Sequence, residues 1–131
     1  MHINVYMYIG KFKGYEMSDN LREEVLRLHA QVCSGLADPN RILIIYNLSE
    51  GPRCVNDIAA SLELPQPTVS RHLKVLRERG IVRAERDGQA INYRLSDTRI
   101  INALDILRSI LADQLKDQVL LARQANERIT P

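Results

Sequence analysis

The chain has 131 residues, of which 45% are hydrophobic and 26% are charged. This composition is typical of one globular domain and excludes a disordered chain, a collagen-like chain and a small scaffold stapled by disulfides. The longest dense apolar stretch, Ile42 to Tyr46, is far shorter than the roughly 18–20 residues that a membrane span needs.

The chain has two cysteines, and its first residues have neither the basic start nor the unbroken apolar run of a signal peptide. We therefore expect a cytoplasmic protein with free thiols. With no tryptophan and one phenylalanine, an aromatic platform for single-stranded nucleic acid is not expected.

Residues 1–17 contain three of the five tyrosines and the only phenylalanine. Ile3, Val5 and Met7 alternate with other residues, as in a short strand. We expect an N-terminal extension, either packed on a neighbour or forming a loose arm, ahead of a folded domain over residues 18–127.

Two helices are predicted next. The first begins at Ser18–Asn20, whose three side chains are all good N-caps, and ends near Gly35. The second starts at Asp38 as N-cap, with Pro39 at its first position, and ends at Gly51–Pro52. This second helix is apolar on nearly every side, which predicts a central, buried position.

A helix-turn-helix pattern follows a short extended piece at Arg53–Val55. Asn56 or Asp57 is predicted to cap a small helix. Leu64–Pro67 then forms a tight turn, because each proline pushes the residue before it out of the helical region. A longer helix with polar outer positions runs to Arg79, which completes the motif.

A β-hairpin is predicted between Ile81 and Leu95, with its turn at Asp87–Gly88, a preferred pair for a two-residue type I′ turn. The turn implies a register of Arg86 with Gln89, Ala84 with Ile91, and Val82 with Tyr93. One face of the hairpin then carries Val82, Ala84, Ile91 and Tyr93, and the other carries Arg83 and Asn92.

Ser96 and Asp97 are predicted to cap a final helix with a wide apolar surface. Its main stripe consists of Ile100, Leu104, Leu107, Leu111, Leu115 and Val119. It is widened by Ile101, Ile106, Ile110, Leu120 and Leu121, beyond what one small domain covers.

Positive charge is concentrated in the long helix and the hairpin. Residues 66–94 hold seven basic and three acidic side chains, a balance of +4, whereas the whole chain carries +2. Duplex DNA attracts a surface of this kind. An inert, solvated helix face is the alternative interpretation.

Candidate DNA-binding residues lie on the outer side of the long helix and at the tip of the hairpin. Those with donors that can read base edges in a major groove are Gln66, Thr68, Ser70 and Arg71. Lys74 and Arg77 lie further along and are expected to meet phosphates. At the tip, Arg86 suits a narrow minor groove and Gln89 lies beside it.

Two motifs resemble a known family, the ArsR/SmtB-type winged-helix repressors. Leu36–Arg41, read LADPNR and followed by ILIIYNL, resembles the LADPTR-type signature of that family. Gln66–Leu76 followed by Gly80–Val82 resembles its recognition helix and the start of its wing. The resemblance covers residues 20–120, apart from Pro65, which stands where the family usually has Ser or a similar cap.

The resemblance implies a mainly helical winged helix-turn-helix fold with a small β-hairpin, in the order α-α-β-α-α-β-β-α. It also implies a homodimer joined through its first and last helices, which binds a palindromic operator in double-stranded DNA and releases it when an inducer binds. For His72, it implies contact with the DNA backbone or packing within the domain.

The effector is expected to be a metal ion, a metalloid, a thiol-reactive signal or another small molecule. Both metal sites that the resemblance implies are incomplete: Cys54–Val55–Asn56 has one thiolate of a Cys-x-Cys pair, and the last helix has aspartates but no histidine. Cys54, Cys33 and His29 remain, a set that suits a thiophilic ion. The alternatives are a Cys33–Cys54 redox disulfide or two structural cysteines.

We therefore predict a sequence-specific DNA-binding transcriptional regulator, acting as a repressor, with no membrane partner. The alternative is a winged-helix module that binds proteins and reads no bases. An enzyme with Cys33 or Cys54 as nucleophile is not expected, because only His29 is placed to assist Cys33 and no Gly-rich loop is evident.

Overall fold

The computed structural model describes residues 19–129. The predicted N-terminal extension over residues 1–17 and the capping role of Ser18 therefore lie outside the described residues.

Within residues 19–129, five α-helices and three strands follow one another in the predicted order. The helices are α1 (Asp19–Leu28), α2 (Pro39–Asn47), α3 (Val55–Leu62), α4 (Gln66–Glu78) and α5 (Arg99–Ile129). The strands are β1 (Arg53–Cys54), β2 (Val82–Asp87) and β3 (Ala90–Leu95), which form an antiparallel sheet in the order β1-β3-β2. The fold is a winged helix-turn-helix in which β2 and β3 form the wing.

Helix α1 does not end as a regular α-helix. A π-helical turn, His29–Cys33, follows it, and a 3₁₀ turn, Ser34–Leu36, leads to the start of α2. The prediction of one regular helix up to Gly35 therefore holds only as far as Leu28, because the backbone hydrogen bonds beyond that point follow π-helical and then 3₁₀ spacing.

The start of α2 is as predicted. Asp38 has an extended backbone, and its carboxylate accepts a hydrogen bond from the Asn40 N–H at 2.8 Å, while Pro39 occupies the first turn. Ile44 and Ile45 in this helix are fully buried, whereas Leu43 is 49% exposed, so α2 is central but not covered on every side.

The caps of the helix-turn-helix differ from the prediction. Cys54, rather than Asn56 or Asp57, is the N-cap of α3, because its backbone is still extended at φ −81° and ψ 162°. The turn after α3 is made by Glu63, which takes a left-handed φ of 55°. Pro65 is the N-cap of α4 without any side-chain cap bond, so the helix begins at Gln66.

The hairpin turn lies one residue later than predicted. Asp87 pairs with Ala90, so the two-residue loop is Gly88–Gln89. A turn at Asp87–Gly88 would place Asp87 at a positive φ, which costs a residue with a side chain more than it costs glycine. Gly88 instead has the positive φ, 63°, at the first loop position, as in a type II′ turn.

This shift corrects the predicted register but not the predicted faces. The observed pairs are Val82 with Leu95, Ala84 with Tyr93, and Arg86 with Ile91. Every partner moves by two positions, and side chains alternate with a period of two, so each residue stays on its predicted face.

The hydrophobic core lies between α2, α3, α4 and the sheet. Its fully buried side chains are Ile44, Ile45, Ile58, Val69, Leu73 and Leu76. Val82 and Leu95 close it from the wing, and Leu104 closes it from the start of α5. The core therefore holds α4 on three sides and leaves one side of that helix to solvent.

Helices α1 and α5 carry apolar side chains that the core does not cover. No residue of α1 is buried, and Val25, Leu26 and Leu28 are at least half exposed. Beyond Leu104, every described residue of α5 is exposed, including Leu107 and seven other large apolar side chains. None of the described helices, including the 31-residue α5, is long and apolar enough to cross a membrane.

An exposed ion pair lies at the start of α5. The Arg99 side chain contacts the Asp97 carboxylate at 2.7 Å (Nη2 to Oδ2), and the Arg99 backbone N–H donates to Oδ1 at 2.9 Å. These hydrogen bonds favour the ionised carboxylate and lower the pKa of Asp97 to about 2.

We expect Arg99→Gln to raise the pKa of Asp97 toward its ordinary value, because the guanidinium donors are lost. A ¹³C NMR titration of the carboxyl group measures this, with Arg108→Gln as a control that leaves the Asp97 titration unchanged. The pKa of Asp97 is lower in the folded chain than in the unfolded chain, so the ion pair stabilises the fold at pH values above the unfolded pKa. This stabilisation is lost as the pH falls toward 2. An Asp97 midpoint near 3.8 in the unaltered protein would contradict this interpretation.

Candidate nucleic-acid interface

Helix α4 has a buried side and an exposed side. Val69, Leu73 and Leu76 are completely buried against α2, α3 and β2. Their spacing of four and three residues places them on one helical stripe, and Ser70, Arg71 and Lys74 between them are exposed. The core thereby determines which side chains of α4 can meet a partner.

Most of the predicted DNA-binding residues are on exposed surface. In α4 the exposed ones are Gln66, Ser70, Arg71, Lys74 and Arg77, and on the wing they are Arg86 and Gln89. Thr68 is half-buried, and its hydroxyl accepts a long hydrogen bond, 3.5 Å, from the Arg71 guanidinium. The donors that can read base edges thus cluster at the first two turns of α4.

His72 is placed differently from the rest of that set. Its side chain is only 15% exposed. Its Nδ1 lies 3.5 Å from the Arg41 guanidinium, and its Nε2 lies 4.0 Å from the Asp38 carboxylate. His72 therefore faces α2 and lies away from the exposed side of α4.

The beginning of α4 offers few free backbone donors for a phosphate. Pro67 has no N–H, and the N–H groups of Thr68 and Val69 both donate to the Pro65 carbonyl, at 3.1 and 3.2 Å. At this helix N-terminus a phosphate would therefore be bound mainly by side chains and not by backbone N–H groups.

The wing adds positive charge beside α4. Arg83 and Arg86 are exposed on β2, and the tip at Gly88–Gln89 is exposed as well. Arg94 on β3 is engaged by Glu85, with its Nε 3.0 Å from the carboxylate. Arg83 is part of the basic region that the sequence predicted to attract DNA, although it was not among the predicted DNA-binding residues.

Not every basic residue of the charged region lies on this surface. Arg71, Lys74 and Arg77 on α4, together with Arg83 and Arg86 on the wing, are exposed, and we call these five residues the basic face; Arg83 and Arg86 project from opposite sides of β2. Arg79 is turned inward, where its guanidinium donates to the Ser34 hydroxyl at 2.6 Å. Charge counting along the sequence did not distinguish these two environments.

Three further residues, Cys54, Cys33 and His29, were predicted to bind an effector. His29 and Cys33 are exposed at the two ends of the π-helical turn, and Cys54 is partly buried between β1 and α3. Both thiols are unpaired. Among residues 19–129 of one chain, no three His, Cys, Asp or Glu side chains lie close enough to hold a metal ion, so these residues do not form a metal site by themselves.

Residues 38–84, which include the helix-turn-helix and the first half of β2, match the family described as "Bacterial regulatory protein, arsR family". The HTH-type transcriptional repressor SmtB of Mycobacterium tuberculosis is 43% identical over 74 residues, which cover 56% of this chain and 55% of that protein. The chain therefore spans about half the length of this relative. The uncharacterized HTH-type transcriptional regulator Rv0081 of the same organism is 37% identical over 98 residues, covering 74% of this chain and 86% of the relative.

Solved structures with the same architecture include the crystal structure of M. tuberculosis Rv0081, with a TM-score of 0.65 and 35% identity over 72% of this chain and 96% of the other. A second is the homodimeric winged helix-turn-helix DNA-binding domain Mb0332 from Mycobacterium bovis, described as a possible ArsR-family regulator. It has a TM-score of 0.65 and 27% identity, covering 77% of this chain and 93% of that chain.

Proposed function

Since the chain belongs to the arsR family of bacterial regulatory proteins, we propose that it is a sequence-specific DNA-binding transcriptional regulator that acts as a repressor in the cytoplasm. The observation that carries the proposal is the basic face, five exposed cations on α4 and the wing beside a cluster of polar side chains at the start of α4. A helix with these donors fits the major groove of duplex DNA.

In this proposal the polar cluster reads bases and the cations bind the backbone. Arg71 suits a guanine edge and Gln66 an adenine edge, while Ser70 and Thr68 can serve either. Lys74 and Arg77 lie one and two turns further along α4, where they approach phosphates. The wing lies beside the groove, with Arg86 and Gln89 at the adjacent minor groove.

The proposed regulator is a homodimer. Val25, Leu26 and Leu28 of α1 and the apolar stripe of α5 are exposed in the single chain, and an apolar surface of this extent is typical of a protein interface. Two-fold pairing through α1 and α5 presents two copies of α4 to a palindromic site.

A protein-binding module is the second candidate, and the chemistry of α4 argues against it. Its outer side carries charges and hydroxyls, whereas a docking groove or helix for a protein partner is typically apolar at its centre. The relatives that the chain matches are described as transcriptional regulators and repressors.

The proposed effector acts through a thiol, at Cys54. This residue is the N-cap of α3, the first helix of the helix-turn-helix, and its backbone pairs with Asn92 of the wing. A thiol-reactive or thiophilic effector bound there displaces both elements that flank α4. A coupling of about 1–3 kcal/mol is enough to change DNA occupancy.

We expect the unaltered protein to bind duplex DNA with an affinity that falls steeply with salt, because cations on the basic face displace counterions. Against an operator selected from random duplexes, Arg71→Ala is expected to cost about 1–3 kcal/mol and to relax specificity at one position. Lys74→Ala is expected to weaken binding to all sequences and to lower the salt slope by about 1. Fluorescence anisotropy over a salt series measures both effects.

Arg123→Ala is the matched control, because Arg123 is an exposed arginine on α5, away from the basic face. It is expected to leave both the affinity and the salt slope unchanged. Salt-independent binding, or equal losses in Arg71→Ala and Arg123→Ala, would refute DNA recognition by α4.

The second prediction concerns assembly. Leu111→Glu is expected to raise the dimer dissociation constant by about tenfold or more, because it places a charge in the apolar stripe of α5 that the proposed dimer buries. Ser109→Glu, which introduces the same charge at an exposed polar position of α5, serves as the control and should not weaken the dimer. Sedimentation velocity measures both, and an unaltered chain that sediments as a monomer would rule out the proposed assembly.

The third prediction concerns the effector. N-ethylmaleimide, which adds to a thiolate, is expected to lower the operator affinity of the unaltered protein and of Cys33→Ser by about fivefold or more. The same treatment is expected to leave the operator affinity of Cys54→Ser unchanged. An equal response of the unaltered protein and Cys54→Ser would remove Cys54 from the sensing mechanism.

A further inference from the structure

The turn that follows α1 has an unusual hydrogen-bond pattern. In the π-helical turn His29–Cys33, the Ser34 N–H donates to the His29 carbonyl, five residues back. In a regular helix the same N–H would bond to Ala30. The Ala30 carbonyl is thus not bonded to the Ser34 N–H; it accepts a hydrogen bond from the Ser34 hydroxyl at 2.6 Å, and its second lone pair is available to a donor from outside the helix.

Two arginines donate to carbonyls of the two turns that follow α1. The Arg79 guanidinium bonds the Ala30 carbonyl and lies 2.6 Å from the Ser34 hydroxyl. The Arg41 guanidinium donates to the Gly35 carbonyl at 2.7 Å and to the Ser34 carbonyl at 3.3 Å. A cation at a helix C-terminus is favoured by the helix dipole, and charged donors make the stronger hydrogen bonds.

Both arginines also connect this end of α1 to α4. Arg79 is the C-cap residue of α4, and its own carbonyl accepts a hydrogen bond from the Gln31 side chain at 3.3 Å. Arg41, in the first turn of α2, lies 3.5 Å from Nδ1 of His72 in the middle of α4. The turn is therefore attached to α4 at two points seven residues apart, about 10 Å along the helix axis.

Packing at the same place leaves little freedom. A Cβ on Gly35 would lie 2.9 Å from Cδ1 of Ile81 and 3.6 Å from Cγ of Arg79. Gly35 is buried, and the backbone there sits directly against the residues that follow α4. Two attachment points and a close contact fix the angle between α1 and α4. A single capping contact would not fix that angle.

We propose that Arg41 and Arg79 are positioning residues that fix the direction of α4 relative to α1, and thereby the spacing of the two α4 helices in the dimer. This inference rests on the proposed function, since the spacing matters only if α1 forms part of the dimer and α4 enters DNA. Both α4 helices of a dimer can bind two half-sites together only when their spacing matches the spacing of the sites. A changed angle between α1 and α4 therefore weakens binding to two half-sites much more than binding to one.

The test compares two duplexes, one with both half-sites of the selected operator and one with a single half-site. Arg41→Lys and Arg79→Lys keep the charge but lose the planar fork that reaches two acceptors. Each is expected to bind the two-site duplex about tenfold more weakly and the single-site duplex within about twofold of the unaltered protein. Arg53→Lys is the matched control, because the Arg53 guanidinium makes a similar internal bond, 2.6 Å to Asn47, without touching α1 or α4.

Thermal unfolding and sedimentation establish that the variants are folded and dimeric. If either lysine variant does not fold, Ser34→Ala, which removes the hydroxyl that Arg79 contacts, provides the milder change with the same expected selectivity. Equal losses on the two duplexes, or no loss on either, would overturn the inference. Absence of DNA binding by the unaltered protein would instead refute the proposed function.

Discussion

The burial of one side of α4 is the constraint on which the rest of the structure depends. Val69, Leu73 and Leu76 are removed from water completely, and each fully buried side chain of this kind is worth about 1.5–3 kcal/mol. Because α2, α3 and β2 surround that side, α4 cannot rotate without exposing it. The charged and hydroxyl side chains of the opposite side are thereby held outward at fixed positions, as base reading requires.

A second constraint is set outside this core. Helices α1 and α5 leave apolar side chains exposed, which accounts for their proposed role in the dimer. Their attachment to the core differs: α5 is fixed at its start by Leu104 and by the hydrogen bond of Tyr46 to Asp105 at 2.7 Å, while α1 is attached through Arg41 and Arg79 at its end. The geometry of the proposed dimer thus depends on polar contacts as well as on apolar burial.

Much of this fold follows from local sequence patterns. Asp38–Pro39 predicts the start of α2, and the spacing of Val69, Leu73 and Leu76 predicts the buried side of α4, because both depend on one helix alone. The hairpin faces were also predictable from alternation. The register of the hairpin was not predictable. It depends on whether Asp87 or Gly88 begins the turn, which is decided by the φ angle that each residue can adopt in the folded hairpin.

The contacts of Arg79 and Arg41 could not be predicted from the sequence. Arg79, the C-cap residue of α4, belongs to the basic region yet points into the domain, and Arg41 contacts carbonyls of the 3₁₀ turn before α2. For His72, packing within the domain was one of the two expected roles, and its side chain lies against α2. These contacts join positions up to 49 residues apart, so no local pattern contains them. For Cys54, Cys33 and His29 the sequence suggested one cluster, and the described chain does not form a three-ligand group from them.

The most direct test of the account is a hydroxyl-radical footprint of the protein on its selected operator. Two copies of α4 held by a two-fold dimer predict two symmetric protected stretches on one face of the duplex, about 10 base pairs apart from centre to centre. A single protected stretch, or protection that follows no two-fold symmetry, would contradict it.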